Sequence, residues 1–153
     1  MEITNQIEEL LEEKAWVIDI LPLQVPAERN RQYAMLEAYY ADESKTEQFA
    51  GRLSSILTKL YCYHDLLLYW PDDESQIEEP KMTDIAAAVK RCLLSAEKRD
   101  AVLNILVMGE KPALIMLCRQ DLYMSVYGPD EQLRQLLERL AGAEGLFVRP
   151  AAL

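Results

Sequence analysis

The spacing of apolar residues changes period several times along the chain, and each change predicts an element. Ile3, Ile7, Leu10 and Leu11 recur at helical spacing, so a first helix is expected over Thr4 to Lys14, with Glu8, Glu9, Glu12 and Glu13 on much of its remaining surface. From Ala15 to Val25 the period shortens to two. Trp16, Ile18 and Ile20 share one side and Val17, Asp19 and Leu21 the other, in a strand that frays at Pro22 and Pro26. Residues 32–40 fit two patterns. Alternation sets Tyr33, Met35, Glu37 and Tyr39 against Ala34, Leu36, Ala38 and Tyr40, whereas a helix groups Tyr33, Leu36 and Tyr40. The aromatic content and the preceding turn favour a strand hairpin.

Asp42 to Tyr63 carries the clearest helical stripe, through Phe49, Leu53, Ile56, Leu57 and Leu60, with Ser44 and Glu47 at capping-box spacing. A short apolar strand over Asp65 to Trp70 stops at Pro71 and gives way to an acidic loop, Asp72 to Lys81. Thr83 is placed to cap a helix reaching Ala96, buried through Ile85, Val89, Cys92 and Leu93. Ala101–Met108, Ala113–Cys118 and Leu122–Tyr127 follow with links short enough for hairpins, which predicts an antiparallel three-strand meander over 101–127. Gly128-Pro129 opens a last helix, buried through Leu133, Leu136, Leu137 and Leu140 and ended by Gly142 or Gly145. Leu146 to Arg149 reads as a final strand.

This order predicts one α+β domain over residues 1–153, with a mixed, largely antiparallel sheet and about four helices. The strands over 101–108 and 113–118 are apolar on both sides. Their sheet therefore needs cover on both faces, from helices split between them or from a second copy of the chain in a homodimer. Half of the 153 residues are apolar, enough for one substantial core. The longest apolar runs, Leu66–Trp70 and Ala113–Cys118, are far short of the ~20 residues that a membrane span needs.

Charge narrows the partners. Residues 1–76 hold 15 of the 26 acidic residues and 6 of the 16 basic ones, so nearly all of the net charge of −10 lies in that half. Such a field repels phosphate backbones and anionic lipid, which argues against nucleic acid and membrane surfaces; it attracts a basic protein and also serves solubility. Cys62, Cys92 and Cys118 are odd in number and widely spaced, with no C-x-x-C pair, and are expected to be buried free thiols. The N-terminal residues show no secretory signal, and the expected location is cytoplasmic.

Candidate chemistry is sparse. A single histidine, His64, excludes multi-histidine metal sites. Its neighbour Cys62 lies two positions away, where helical side chains do not face each other, so a helix-end histidine that favours the dipole or contacts Asp65 is the expected reading. No glycine-rich phosphate loop and no G-x-S-x-G is present, and no motif asks for a cofactor or a metal; the Asp72-Asp73-Glu74 run lacks a calcium-loop register. Asp19 is the one carboxylate within a strongly apolar strand. It is the candidate acid of a pocket, since burial can raise a carboxyl's pKa; the structural alternative is an outward position or an ion pair with Arg29 or Arg31. Glu8 with Glu12 and Glu9 with Glu13 form like-charge pairs, which a helix tuned for stability alone would avoid, so they are candidates for contact with a basic partner. Tyr123 and Tyr127 share a strand side and are candidate interface anchors, unless they pack under helices.

Trp16 to Pro26, Tyr123-Met124-Ser125-Val126-Tyr127 and the closing Glu144-Gly145-Leu146-Phe147-Val148 resemble a family of small uncharacterised bacterial proteins with no assigned activity. The likeness covers most of the chain. It implies a free-standing domain and no particular chemistry. The leading functional expectation is therefore a non-catalytic, acidic protein-interaction module: an adaptor, a regulator or an inhibitor resembling an immunity protein. A ligand-binding domain or small enzyme using Asp19, and a structural homodimer, are the alternatives. A cavity walled by Asp19 would favour a ligand site; a filled interior with an acidic, aromatic patch would favour the interaction module.

Overall fold

The meander forms the centre of the sheet. β4 (Val102–Val107), β5 (Ala113–Cys118) and β6 (Tyr123–Tyr127) pair antiparallel, with Ile105 opposite Ile115 and Ile115 opposite Val126. In this computed structural model the described residues are 3–71, 77–78, 82–95, 101–119 and 121–151. Four further strands extend the sheet: β1 (Ala15–Asp19), β2 (Leu66–Tyr69), β3 (Ile77–Glu78) and β7 (Phe147–Pro150). The order is β3-β2-β4-β5-β6-β1-β7, and every pairing is antiparallel. The α+β class and the largely antiparallel sheet agree with the pattern of the sequence.

Alternation then decides the two faces. Leu103, Ile105 and Val107 of β4, with Ile115, Leu117, Met124, Val126 and Ile18 of its neighbours, share the main core with three helices. These are α3 (Glu43–Leu60), α4 (Met82–Leu94) and α5 (Glu131–Ala143). α3 packs against both other helices and buries Phe49, Leu53, Ile56, Leu57 and Leu60, the stripe its spacing predicts. Each such Leu or Ile, removed from water, contributes about 1.5–3 kcal/mol before its ordering entropy is counted. On the second face the short helix α1 (Ile3–Leu10) sets Ile7 and Leu10 on Tyr69, Leu106 and Leu114.

Several boundaries differ from expectation, each for a local reason. Residues 30–40 form a helix, α2 (Asn30–Tyr40), where a hairpin strand is expected. Tyr33, Leu36 and Tyr40 turn inward on it, Tyr40 meets Phe49 edge-on with ring centroids 6.2 Å apart, and a 3₁₀ turn over Ala27–Arg29 launches it. Helical spacing of those three residues outweighs the β-propensity of the tyrosines. β1 stops at Asp19, well before Val25, and lies inside the sheet between β6 and β7.

Helix ends move as well. α1 stops at Leu10 because the chain tightens into a turn, with Glu13 N–H donating to Leu10 C=O at 3.0 Å. α3 starts on Asp42, whose carboxylate accepts from the Ser44 hydroxyl, so the predicted Ser44–Glu47 box is not the cap. α4 begins at Met82, one residue ahead of Thr83. α5 is capped by Asp130, which accepts from Leu133 N–H at 2.8 Å. It runs through Gly142 to Ala143 and is closed off at Gly145, where φ is 75°, with Leu146 N–H returning to Ala141 C=O at 2.9 Å. The acidic run Asp72-Asp73-Glu74 and the expected end of α4 at Ala96 lie outside the described residues.

Candidate functional site

The strand register lays out the second face as rows of neighbours running across the sheet. Leu67, Leu106, Leu114, Tyr127 and Ala15 are successive partners, and α1 covers this row. The next row is Tyr69, Asn104, Met116, Ser125, Val17 and Arg149. A third holds Val102 opposite Cys118, then Tyr123 opposite Asp19 opposite Phe147. Two of the three buried polar or charged residues among those described, Asp19 and Asn104, fall in the second and third rows; Ser54, on α3, is the other.

Asp19 lies in a cleft, and its partner is Arg149, not Arg29 or Arg31. Arg149 Nη2 donates to Asp19 Oδ2 at 2.6 Å, with the two side chains 17% and 6% exposed. The pairing follows from topology: β1 is hydrogen-bonded to β7, and Arg149 stands opposite Val17, two residues from Asp19 on the same side. A cavity of about 210 Å³ opens beside the pair, lined by Asn30, Tyr33, Tyr123 and the 21–25 segment. Burial, and then the Asp19 carboxylate, push the Tyr33 hydroxyl up; burial, and then Asp121, do the same for Tyr123. Both phenols thus stay protonated and offer O–H donors. Asp19 meets a cation here, so the geometry is that of a paired carboxylate.

The other predicted residues divide. Tyr123 stands in this cleft, while Tyr127, on the same strand side, packs with the cluster beneath α1; the two do not form one outward patch. Glu8, Glu9, Glu12 and Glu13 are all exposed, but only Glu8 and Glu9 lie in α1. Glu9 and Glu13 face the β4–β5 turn near Lys111, and Glu8 lines a cavity with Tyr69, Val102 and Met116. Gly128 lets this end of α1 sit close: its φ is 69°, and a Cβ there would lie 3.3 Å from Leu10 Cδ2.

His64 and Cys62 do not pair. His64 Nδ1 is 3.0 Å from Met108 C=O, and Cys62 Sγ points to Thr58 C=O at 3.8 Å. The expectation of buried thiols holds for Cys92, whose pKa burial pushes up to about 12; Cys118 is half-buried and Cys62, beyond the end of α3, is exposed. Burial, and then the neighbouring Asp121, raise the Cys118 thiol. Neither raised thiol is a ready nucleophile.

Sequence reasoning missed Asn104. It interrupts Leu103-Asn104-Ile105-Leu106, an otherwise apolar run, and that interruption was the available signal. Asn104 is 3% exposed, and its Oδ1 accepts no hydrogen bond among the described residues. It lies on the floor of a cavity of about 400 Å³ between α1 and the sheet, walled by Ile7, Glu8, Leu11, Tyr69, Val102 and Met116. Among the described residues, no group of three or more His, Cys, Asp or Glu is placed to hold a metal ion, and no helix is long and apolar enough to cross a membrane. Comparison with family models, curated proteins and solved structures found no match.

Proposed function

We propose that this protein is a non-catalytic interaction module that recognises a basic protein partner on the second face of its sheet, as an adaptor, regulator or inhibitor does. One observation carries the reading. The short helix on that face exposes Glu8 and Glu9, and the turn after it exposes Glu12 and Glu13, with Glu8 at a cavity of about 400 Å³ whose walls, Ile7, Leu11, Val102 and Met116, are apolar. Acidic groups at the edge of an apolar surface favour encounter with cations, and the apolar part supplies affinity once solvent is excluded. The concentration of negative charge in residues 1–76 points the same way. The Asp19–Arg149 pair supports a structural role for the most suspect carboxylate.

The test is affinity capture from the native host with three baits: the wild type, a variant with Glu8, Glu9, Glu12 and Glu13 all changed to Lys, and a control with Glu43, Glu47, Glu131 and Glu138 changed to Lys. A partner held by the wild type and the control is expected to be lost from the first variant. Its binding, reconstituted from purified components, should weaken as salt rises. An unchanged partner list across the three baits overturns the proposal.

The cleft beside Asp19 supports a second reading, a small polar ligand held by the Tyr33 and Tyr123 hydroxyls. Tyr123→Phe should then remove a thermal shift that a metabolite panel produces with the wild type.

A further inference from the structure

The cavity over Asn104 combines three features that together define an occupant. Its walls are largely apolar, formed by Ile7, Val102 and Met116. Its floor holds the Asn104 side chain, almost fully enclosed, with Oδ1 lacking a donor among the described residues. Its rim carries the exposed carboxylate of Glu8. An enclosed acceptor without a donor is an unfavourable arrangement that an incoming N–H would relieve. The walls ask for hydrocarbon, the floor for a donor and the rim for positive charge. A long basic side chain brings all three, its aliphatic stem lying on apolar surface while its head meets polar groups. Arginine suits the site better than lysine, because guanidinium is less strongly hydrated and presents five donors in a plane, enough to reach an amide oxygen and a carboxylate together. At about 400 Å³ the cavity has room for one such side chain. A second copy of this chain is the less favourable occupant, since each copy carries a net charge of −10.

We infer that the pocket formed by α1 and the β4–β5 face, with Asn104 at its floor and Glu8 at its rim, is the receptor for an arginine side chain of the partner protein. The inference rests on the proposed interaction function and names its anchor.

Titration of the ¹⁵N-labelled full chain with N-acetyl-L-arginine methylamide, followed by NMR, tests it. Saturable shifts are expected at the backbone and side-chain amides of Asn104 and at Met116 and Glu8. The isosteric, neutral citrulline analogue and the norleucine analogue should each bind about tenfold more weakly or worse. Asn104→Leu should abolish the saturable shifts, and Glu8→Gln should bring arginine and citrulline close together. If Asn104→Leu does not give a dispersed spectrum, Glu8→Gln, a surface change, carries the same test. The inference is overturned by the absence of saturable shifts at Asn104, by equal binding of the citrulline or norleucine analogue, by unaltered binding in the variants, or by the same residues shifting with protein concentration alone, which would reveal a second copy in the pocket. Loss of capture on charge reversal with no arginine binding would remove this inference alone. Arginine binding with an unchanged partner list would remove the proposed function and leave the pocket as a site for free cationic ligands, overturning its role as a partner's receptor.

Discussion

On the first face of the sheet, β4 sets Leu103, Ile105 and Val107 against α3, α4 and α5. On the second, one residue along, the same strand sets Asn104 and Leu106 near a single helix of 8 residues. The first face is closed by long helices whose stripes interlock, and its side chains are chosen for volume. The second, among the described residues, meets the short α1 and, beside Asp19, the 21–25 segment and α2, and it holds the Asp19–Arg149 pair, Asn104 with an Oδ1 that accepts no hydrogen bond, and a cavity beside each. The same strands thus divide their labour: stability is concentrated on one side, and the polar groups that can read another molecule lie on the other.

The largest expected effect tests that division directly. Leu103→Ala, at a fully enclosed first-face position, should cost about 3–4 kcal/mol in urea denaturation, and Met116→Ala, half-buried on the second face, about 1 kcal/mol. Equal losses would end the distinction. Next, Asp19→Ala should cost about 3 kcal/mol by leaving Arg149 enclosed and unpaired, and Arg149→Met added to it should restore part of the loss. If the two losses simply add, the pair is not coupled. Asn104→Leu should behave in the opposite way to an ordinary core change: removing an enclosed acceptor that lacks a donor should leave stability unchanged or raise it by about 1 kcal/mol. A substantial loss would mean that Asn104 serves the fold.

The smallest effects separate the thiols. With Cys92 raised to about 12, its thiolate fraction at pH 8 is about one in ten thousand. Cys62 should react first with a thiol reagent, Cys118 slowly, and Cys92 only on unfolding. The sign of the pH effect follows from the same shift. Between the ordinary thiol pKa of 9.0 and about 12, the unfolded chain releases this proton and the folded chain keeps it, so stability should fall as pH rises through that window. Alkaline titration of the midpoint checks it, with Cys92→Ala as the comparison.

The sequence made the first face legible and left much of the second obscure. The stripes of α3 and α5 and the alternation of β4 to β6 are long, regular patterns that local spacing reveals. The need for cover on both faces was also readable from β4 and β5. What local pattern could not supply was which parts of the chain meet. Asp19 finds Arg149, 130 positions away, because β1 pairs with β7, and nothing near Asp19 signals that. α2 misleads because its tyrosines suit a strand, while the helix they form turns Tyr40 against Phe49 on another helix. Asn104 interrupts an apolar run, but local spacing does not say which elements lie over it.

The pairing of β1 with β7 also bears on how the molecule is made. The strand that starts at residue 15 cannot gain its neighbour β7 until residues 147–150 have left the ribosome, so this edge of the sheet forms long after β1 itself has been synthesised. During translation, Asp19 waits as an unmatched anion for a cation delivered 130 positions later. Assembly of this end of the molecule therefore waits on Arg149, and a chain stopped short of it would lack the charge that its early strand requires.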